Sequence, residues 1–229
     1  MTRDTRRSLI PASHACPFSK PSKKRYSEVL SGHLARDVSS RLRELGFRGV
    51  RPVGDEKGER EFQGGLGPKR VDVSSSDERH GLILAVSIKT ICFAPFGKNL
   101  RNRFADLCTE AVSLHLRFPY SVICGLFAFP MAADRDHTNG RALSTFRRAV
   151  RLFGTITGRS EYTDPSEKFE DVTLMLFEPV QLASQATQES RLVSATDNRE
   201  LTEAEYFERI RQIHNRRFPH TPVGESLED

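Results

Sequence analysis

The sequence predicts an α/β protein, a mixed β-sheet flanked by helices in the order α-β-β-β-α-β with C-terminal additions. Three observations carry this. A long helical stripe opens the regular part of the chain, short segments joined by polar turns follow it, and two strongly apolar runs (82–90 and 121–129) are separated by a stretch of helical period. Strands joined by short turns pair antiparallel, whereas a helical crossover brings the next strand in parallel. The sheet is therefore mixed.

Each element has its own warrant. Tyr26, Leu30, Leu34, Val38, Leu42 and Leu45 share one helical face over 26–45, and Gly46 supplies the C-terminal stop. Residues 46–60 are rich in glycine and charge and form a loop. Glu61-Phe62-Gln63 is a short strand, 64–68 (GGLGP) a turn, and 69–73 a second strand. Residues 74–81 are expected to be a polar turn, and 82–90 (LILAVSIKT) is apolar enough to be a central strand. Leu100, Phe104, Leu107, Ala111 and Leu114 mark a helix over 99–117, stopped by Pro119; 121–129 (SVICGLFAF) is another buried strand. Leu143, Phe146, Val150 and Phe153 define an amphipathic helix near 142–153. Strands follow at 172–177 and around 191–195, and Thr202 with Glu205 forms a capping box that opens a last helix reaching about Arg216.

Length and composition bound the function. At 229 residues the chain suits one sizeable domain with extensions. Hydrophobic residues at 37% and charged residues at 28% exclude a wholly disordered protein. There is no transmembrane stretch and no signal-peptide core behind Arg3, Arg6 and Arg7, so a cytoplasmic protein without membrane partners is expected. Cys16, Cys92, Cys108 and Cys124 form no CxxC pair and are expected to be small hydrophobes. The formal charge of +5 hints at an acidic partner, but its distribution matters more. Arg3, Arg6, Arg7, Lys20, Lys23, Lys24 and Arg25 face only Asp4, so the excess lies in a proline-containing arm. The expected organisation is a basic, disordered arm (1–25), a single domain (26–217, core 26–130) and a flexible tail (218–229). The arm suits either phosphate neutralisation or solubility. A second basic feature is the helix face carrying Arg147, Arg148 and Arg151, either a solvated surface or a phosphate-contacting rail.

The chemistry concentrates in GPKRVDVSSSDERHGLILAVSIKT. Asp72 ends one expected strand and Lys89 lies near the end of the next apolar one, so a meander brings them together. A carboxylate holding Mg²⁺ beside a lysine that orients water or phosphate is what metal-assisted phosphodiester hydrolysis needs. On the following helix Arg103, Asp106, Glu110, Ser113 and Arg117 form one polar stripe, either a solvated face of charge pairs or part of a metal-and-phosphate site.

With VDV, SIK and this element order, residues 26–130 resemble the PD-(D/E)xK nuclease superfamily. Val71 stands where the motif has proline, and Ser87 where the second metal-binding carboxylate would be. This resembles the branch of type II restriction endonucleases that carries SxK and takes the missing carboxylate from the next helix, where Glu110 sits in a TEA context. Twenty residues separate Lys89 from Glu110, more than the dozen of that branch. The resemblance implies a restriction-endonuclease-like fold and a Mg²⁺-dependent endonuclease (Mn²⁺ substituting) with no small-molecule cofactor. It would cut double-stranded DNA as a homodimer, in restriction or phage defence, leaving 5′-phosphate and 3′-hydroxyl ends. Asp72 and Glu110 would hold the metal, with the Ile88 carbonyl as an extra ligand; Lys89 would orient water, Ser87 would hydrogen-bond within the site, and Glu28 is a reserve ligand. Arg103, Arg117, Arg147, Arg148 and Arg151 are the expected DNA contacts. The alternative is a catalytically decayed DNA-binding or scaffold subunit; an RNA-directed or structure-specific nuclease would share the site. Elsewhere, Asp134, Asp136 and Asn139-Gly140 form a turn rather than a Ca²⁺ loop, His115 is expected to be a packed core histidine, and the glycines at 64, 65 and 67 make a turn, not a P-loop.

Overall fold

The computed structural model describes residues 20–54, 56, 59–136, 142–178 and 190–224. Its elements, in chain order, are α1 (Lys20–Glu44), β1 (Val50–Arg51), β2 (Arg60–Gly64), β3 (Gly67–Val71), β4 (Val73–Asp77), β5 (Gly81–Thr90), α2 (Phe96–Arg117), β6 (Val122–Pro130), a 3₁₀ turn (Met131–Asp134), α3 (Thr145–Gly154), β7 (Asp171–Phe177), β8 (Arg191–Ser194), β9 (Glu200–Leu201) and α4 (Glu203–Arg217). Seven strands form one sheet in the order β1-β4-β5-β6-β7-β8-β9, and β2 and β3 form a separate hairpin. Pairing is parallel at β5–β6 and β6–β7 and antiparallel at β1–β4, β4–β5, β7–β8 and β8–β9. The sheet is mixed, as expected, and helices cover both faces.

Two apolar cores follow from strand alternation. Val86, Ile88, Cys124, Leu126 and Met175 point to one face, where they meet Leu30, Leu34, Val38 and Leu42 of α1 and Tyr206, Phe207 and Ile210 of α4. Ala85, Ile123, Phe127, Phe129 and Leu174 point to the other, against Leu100, Leu107 and Leu114 of α2 and Phe146, Val150 and Phe153 of α3. Gly46, at φ +96°, ends the reach of α1 as expected. Ser144 caps α3 by accepting from the Arg147 N–H at 3.1 Å, and the Thr202–Glu205 capping box opens α4. Among the described residues no helix is long and apolar enough to cross a membrane.

Five sequence expectations change, the first being that Val50 and Arg51, within the expected 46–60 loop, form β1 against β4. Helix α1 begins at Lys20 rather than Tyr26, because Pro21 sits in a first turn where its missing N–H is not needed. The expected arm therefore loses residues 20–25 to the helix, and the rest of it lies outside the described residues. Residues 74–77 are not a turn: Ser74 and Ser75 are buried in β4, with the Ser75 hydroxyl donating to the Arg48 carbonyl at 2.7 Å. Polar side chains concealed this strand, whose membership comes from backbone pairing with β5. Residues 69–73 are not one strand either, since the hairpin ends at Val71 and the sheet resumes at Val73. Finally, residues 218–224 of the expected tail fold back. Val223 is buried, and its N–H donates to the Asn215 side chain at 2.8 Å. Residues 225–229 lie outside the described residues.

Candidate active site

Asp72 occupies the break between the hairpin and β4, and the β4–β5 register (Val73 opposite Val86) places it beside the end of β5. There its Oδ2 accepts the Ile88 N–H at 2.7 Å, the hydrogen bond a longer β4 would have made through its backbone. Val86 and Ile88 are committed to the α1-side core, so Ser87 and Lys89 project toward α2. Glu110 reaches them from α2: one carboxylate oxygen accepts the Ser87 hydroxyl, and the other lies 3.1 Å from Lys89 Nζ. Lys89 Nζ is also 3.7 Å from Asp72 Oδ2. The structure thus brings Asp72, Ser87, Lys89 and Glu110 into one cluster.

The cluster is largely withdrawn from solvent, with side-chain exposures of 16% for Asp72, 19% for Lys89 and 8% for Glu110. Burial lifts the Asp72 carboxyl, Lys89 and the Ile88 N–H pull it down, the negative charges of Glu110 and Glu59 push it up, and it ends at about 6. Burial pulls the Lys89 ammonium down, but Glu110 and Asp72 more than offset that, and it ends above its ordinary value. Lys89 is therefore a firmly charged ammonium held between two carboxylates.

Asp72 and Lys89 line an open cleft of about 1610 Å³, walled by α1, the β2–β3 hairpin and the first turns of α2, while Ser87 and Glu110 are buried beside them. Of the other expected site residues, Arg103 lines this cleft and pairs with Asp106 at 3.1 Å. Glu28 lines the rim from α1, exposed and 3.6 Å from Lys24, so it does not join the two buried carboxylates. Arg117 sits away from the cleft, its guanidinium 6.0 Å from the centre of the Phe118 ring. Arg147, Arg148 and Arg151 project from α3 and do not line the cleft either. Asp134 and Asp136 accept the hydroxyls of Ser144 and Thr145 at 2.8 and 2.9 Å, securing the entry to α3, while Asn139-Gly140 lies outside the described residues. His115 is buried as expected, its ring 2.9 Å from the Ser166 carbonyl and 3.3 Å from Glu170.

Among the described residues no three His, Cys, Asp or Glu side chains converge as a metal-ligating group. The donor set available is two carboxylates, Asp72 and Glu110, with the Ile88 main chain beside Asp72. The carboxylates are hard oxygen donors, with Asp72 and Ile88 lining the cleft and Glu110 buried next to Lys89. Mg²⁺ fits such a set, since it is commonly held by one or two carboxylates and keeps water and phosphate oxygens as its remaining ligands.

Sequence reasoning did not place Arg36, Glu59, Glu61 or Arg70 at the site, although all line the cleft. A signal existed for Arg36: Lys24, Glu28, Gly32 and Arg36 recur every four residues along one face of α1. No such signal existed for Glu59, because a separate hairpin looks like any other pair of strands in sequence. Comparisons with protein-family models, with curated proteins and with solved structures return no match.

Proposed function

We propose that this protein is a Mg²⁺-dependent endonuclease of restriction-endonuclease-like fold that hydrolyses phosphodiester bonds of double-stranded DNA. The observation that carries the reading is the convergence of Asp72 and Glu110 on Lys89 from three separate elements, with Asp72 and Lys89 lining one cleft. In keeping with the resemblance, the setting is a cytoplasmic homodimer in restriction or phage defence, with Mn²⁺ able to replace Mg²⁺.

Asp72 and Glu110 would hold the metal, which when bound supplies Lewis-acid stabilisation of the charge on the attacked phosphate. Ser87 fixes the rotamer of Glu110 through its hydroxyl. Lys89, charged and partly dehydrated, orients the attacking water and stabilises the charge that grows on the phosphoryl oxygens. The water oxygen bonds to phosphorus as the P–O3′ bond breaks, and the departing oxygen takes a proton from solvent. The water's own proton leaves to solvent, and the products are a 5′-phosphate and a 3′-hydroxyl.

The test is cleavage of duplex DNA in Mg²⁺ by wild type, Lys89→Ala and Glu110→Ala, with calorimetric titration of Mg²⁺ and Mn²⁺. Each variant should lose about a hundredfold or more in rate. Glu110→Ala should also weaken metal uptake, whereas Lys89→Ala should retain it. Undiminished cutting by either variant would defeat the assignment. Duplex binding without any uptake of Mg²⁺ or Mn²⁺ would instead make the chain a DNA-binding subunit with a decayed site.

A further inference from the structure

We propose that the cleft face of α1, from Lys23 to Arg36, is the surface on which the phosphodiester backbone of duplex DNA lies, in place of the arginine-rich face of α3. This rests on the nucleic-acid reading of the cleft and names the wall that receives the substrate.

Lys23, Lys24 and Arg36 line the cleft together with Asp72 and Lys89, so a strand along this wall passes directly over the buried cluster. Between the basic residues the same wall presents Ser27, Ser31, Gly32 and Ala35. Small side chains at successive turns let a phosphate backbone approach the helix closely. The cations are available. Arg36 makes no ion pair among the described residues, and its guanidinium lies 3.7 Å from where a Cβ on Gly32 would stand. Lys23 sits over the Phe93 ring at 5.5 Å and makes no ion pair among the described residues. Among the described residues Lys24 pairs with Glu28 alone, exposed and at 3.6 Å, the kind of contact a phosphate displaces at little cost.

The opposite wall has the other polarity. Arg70 of β3 is held between Glu59 and Glu61 at 3.6 and 3.5 Å, so the residues this side contributes to the cleft carry two acids to one base. A polyanion in this cleft is repelled by the hairpin and drawn to α1. On α3, Arg147 is 3.7 Å from Asp134, and none of Arg147, Arg148 and Arg151 lines the cleft.

The experiment measures binding of a labelled short duplex, and of the same sequence as a single strand, by anisotropy in EDTA over a range of salt. The proteins are wild type, the double charge reversal Lys24→Glu/Arg36→Glu, the neutral pair Lys23→Gln/Arg36→Gln, and Arg147→Glu/Arg151→Glu. The α1 reversal should weaken duplex binding about a hundredfold, and each lost phosphate contact should flatten the salt slope by about one. The neutral pair should flatten the slope by about two with an unchanged circular dichroism spectrum, while the α3 reversal should behave as wild type. Unchanged duplex binding by both α1 variants overturns the inference and leaves the cleavage reading standing. Tighter binding of the single strand than of the duplex overturns it as well. Failure of wild type to bind either probe removes both the inference and the nuclease reading.

Discussion

Lys89 stands 3.1 Å from Glu110 and 3.7 Å from Asp72, but it is burial, opposed by Lys89, that makes Asp72 pH-sensitive. A carboxyl lifted from 3.8 to about 6 holds its proton more readily in the folded protein than in the unfolded chain. Its contribution to stability is thus fully present below the unfolded value and is lost as the pH rises through about 6. In metal-free buffer Asp72→Asn should be more stable than wild type by about 1–3 kcal/mol near neutral pH. The difference should vanish below about pH 3, where the carboxyl is protonated in both the folded protein and the unfolded chain. Urea unfolding of both proteins at the two pH values measures this, and a gain that persists in acid would mean burial is not its source. Asp72 and Lys89 were legible as partners from sequence because Asp72 directly precedes a strand joined by a short turn to the strand of Lys89, where register is nearly determined by length. The Ser87–Glu110 hydrogen bond was not, because the rotation of α2 about its axis is set by which residues pack on the sheet.

At the scale of elements, α2 and the β2–β3 hairpin depend on each other. The polar stripe Arg103, Asp106, Glu110, Ser113, Arg117 predicted for one helix face is real, but it does not all meet solvent. Arg103 and Asp106 stand in the cleft, Glu110 and Ser113 are buried, and the hairpin tip closes over the turn that follows Glu110. There the Gly65 N–H donates to the Ser113 carbonyl at 2.7 Å and the Leu66 N–H to the Ser113 hydroxyl at 3.2 Å. The approach needs glycine: a Cβ on Gly65 would stand 2.5 Å from the Leu116 Cβ. Gly65→Ala should therefore cost about 1–3 kcal/mol and loosen the hairpin from the helix. Denaturant unfolding gives the first quantity, and faster amide exchange over residues 60–71 reports the second. The sequence marked these glycines as a turn, which is correct; that the turn docks on a helix depends on contacts across 47 positions of chain.

At the scale of the molecule, the end of the sheet away from the cleft is held by a buried ionic group. The Glu170 carboxylate accepts from Arg159 at 2.8 Å, from Arg217 at 3.2 Å and from the Ile123 N–H at 2.7 Å, with His115 Nε2 at 3.3 Å. Burial pushes its carboxyl up, but His115, the Ile123 N–H and Arg159 outweigh that and leave it below the usual range. The group joins α2, β6 and α4 around the residue that leads into β7. Glu170→Ala leaves the buried Arg159 cation without its carboxylate and should cost about 3–5 kcal/mol. Because the group lies at the start of β6 whereas Lys89 pairs near its end, opposite Phe127, Mn²⁺ uptake by the folded variant should match wild type. Unfolding in denaturant and calorimetry of the same preparation test both halves, and a change in Mn²⁺ affinity would contradict the separation of the two ends.

By itself the sequence determined the elements whose periodicity is strong: α1, the central strands β5 and β6, α2, α3 and the capped α4. It also determined the pairing of Asp72 with Lys89 at one sheet end. These follow from local rules, in which alternation, helical spacing and capping residues act within a few positions. Only the tertiary structure decided that serine-rich β4 is a strand, that the hairpin leaves the main sheet, and that Glu110 turns inward. It also decided that the basic wall facing the cluster is α1 rather than α3. The reason is physical: each depends on which surfaces pack against which, and that packing is a property of the whole folded chain rather than of a segment.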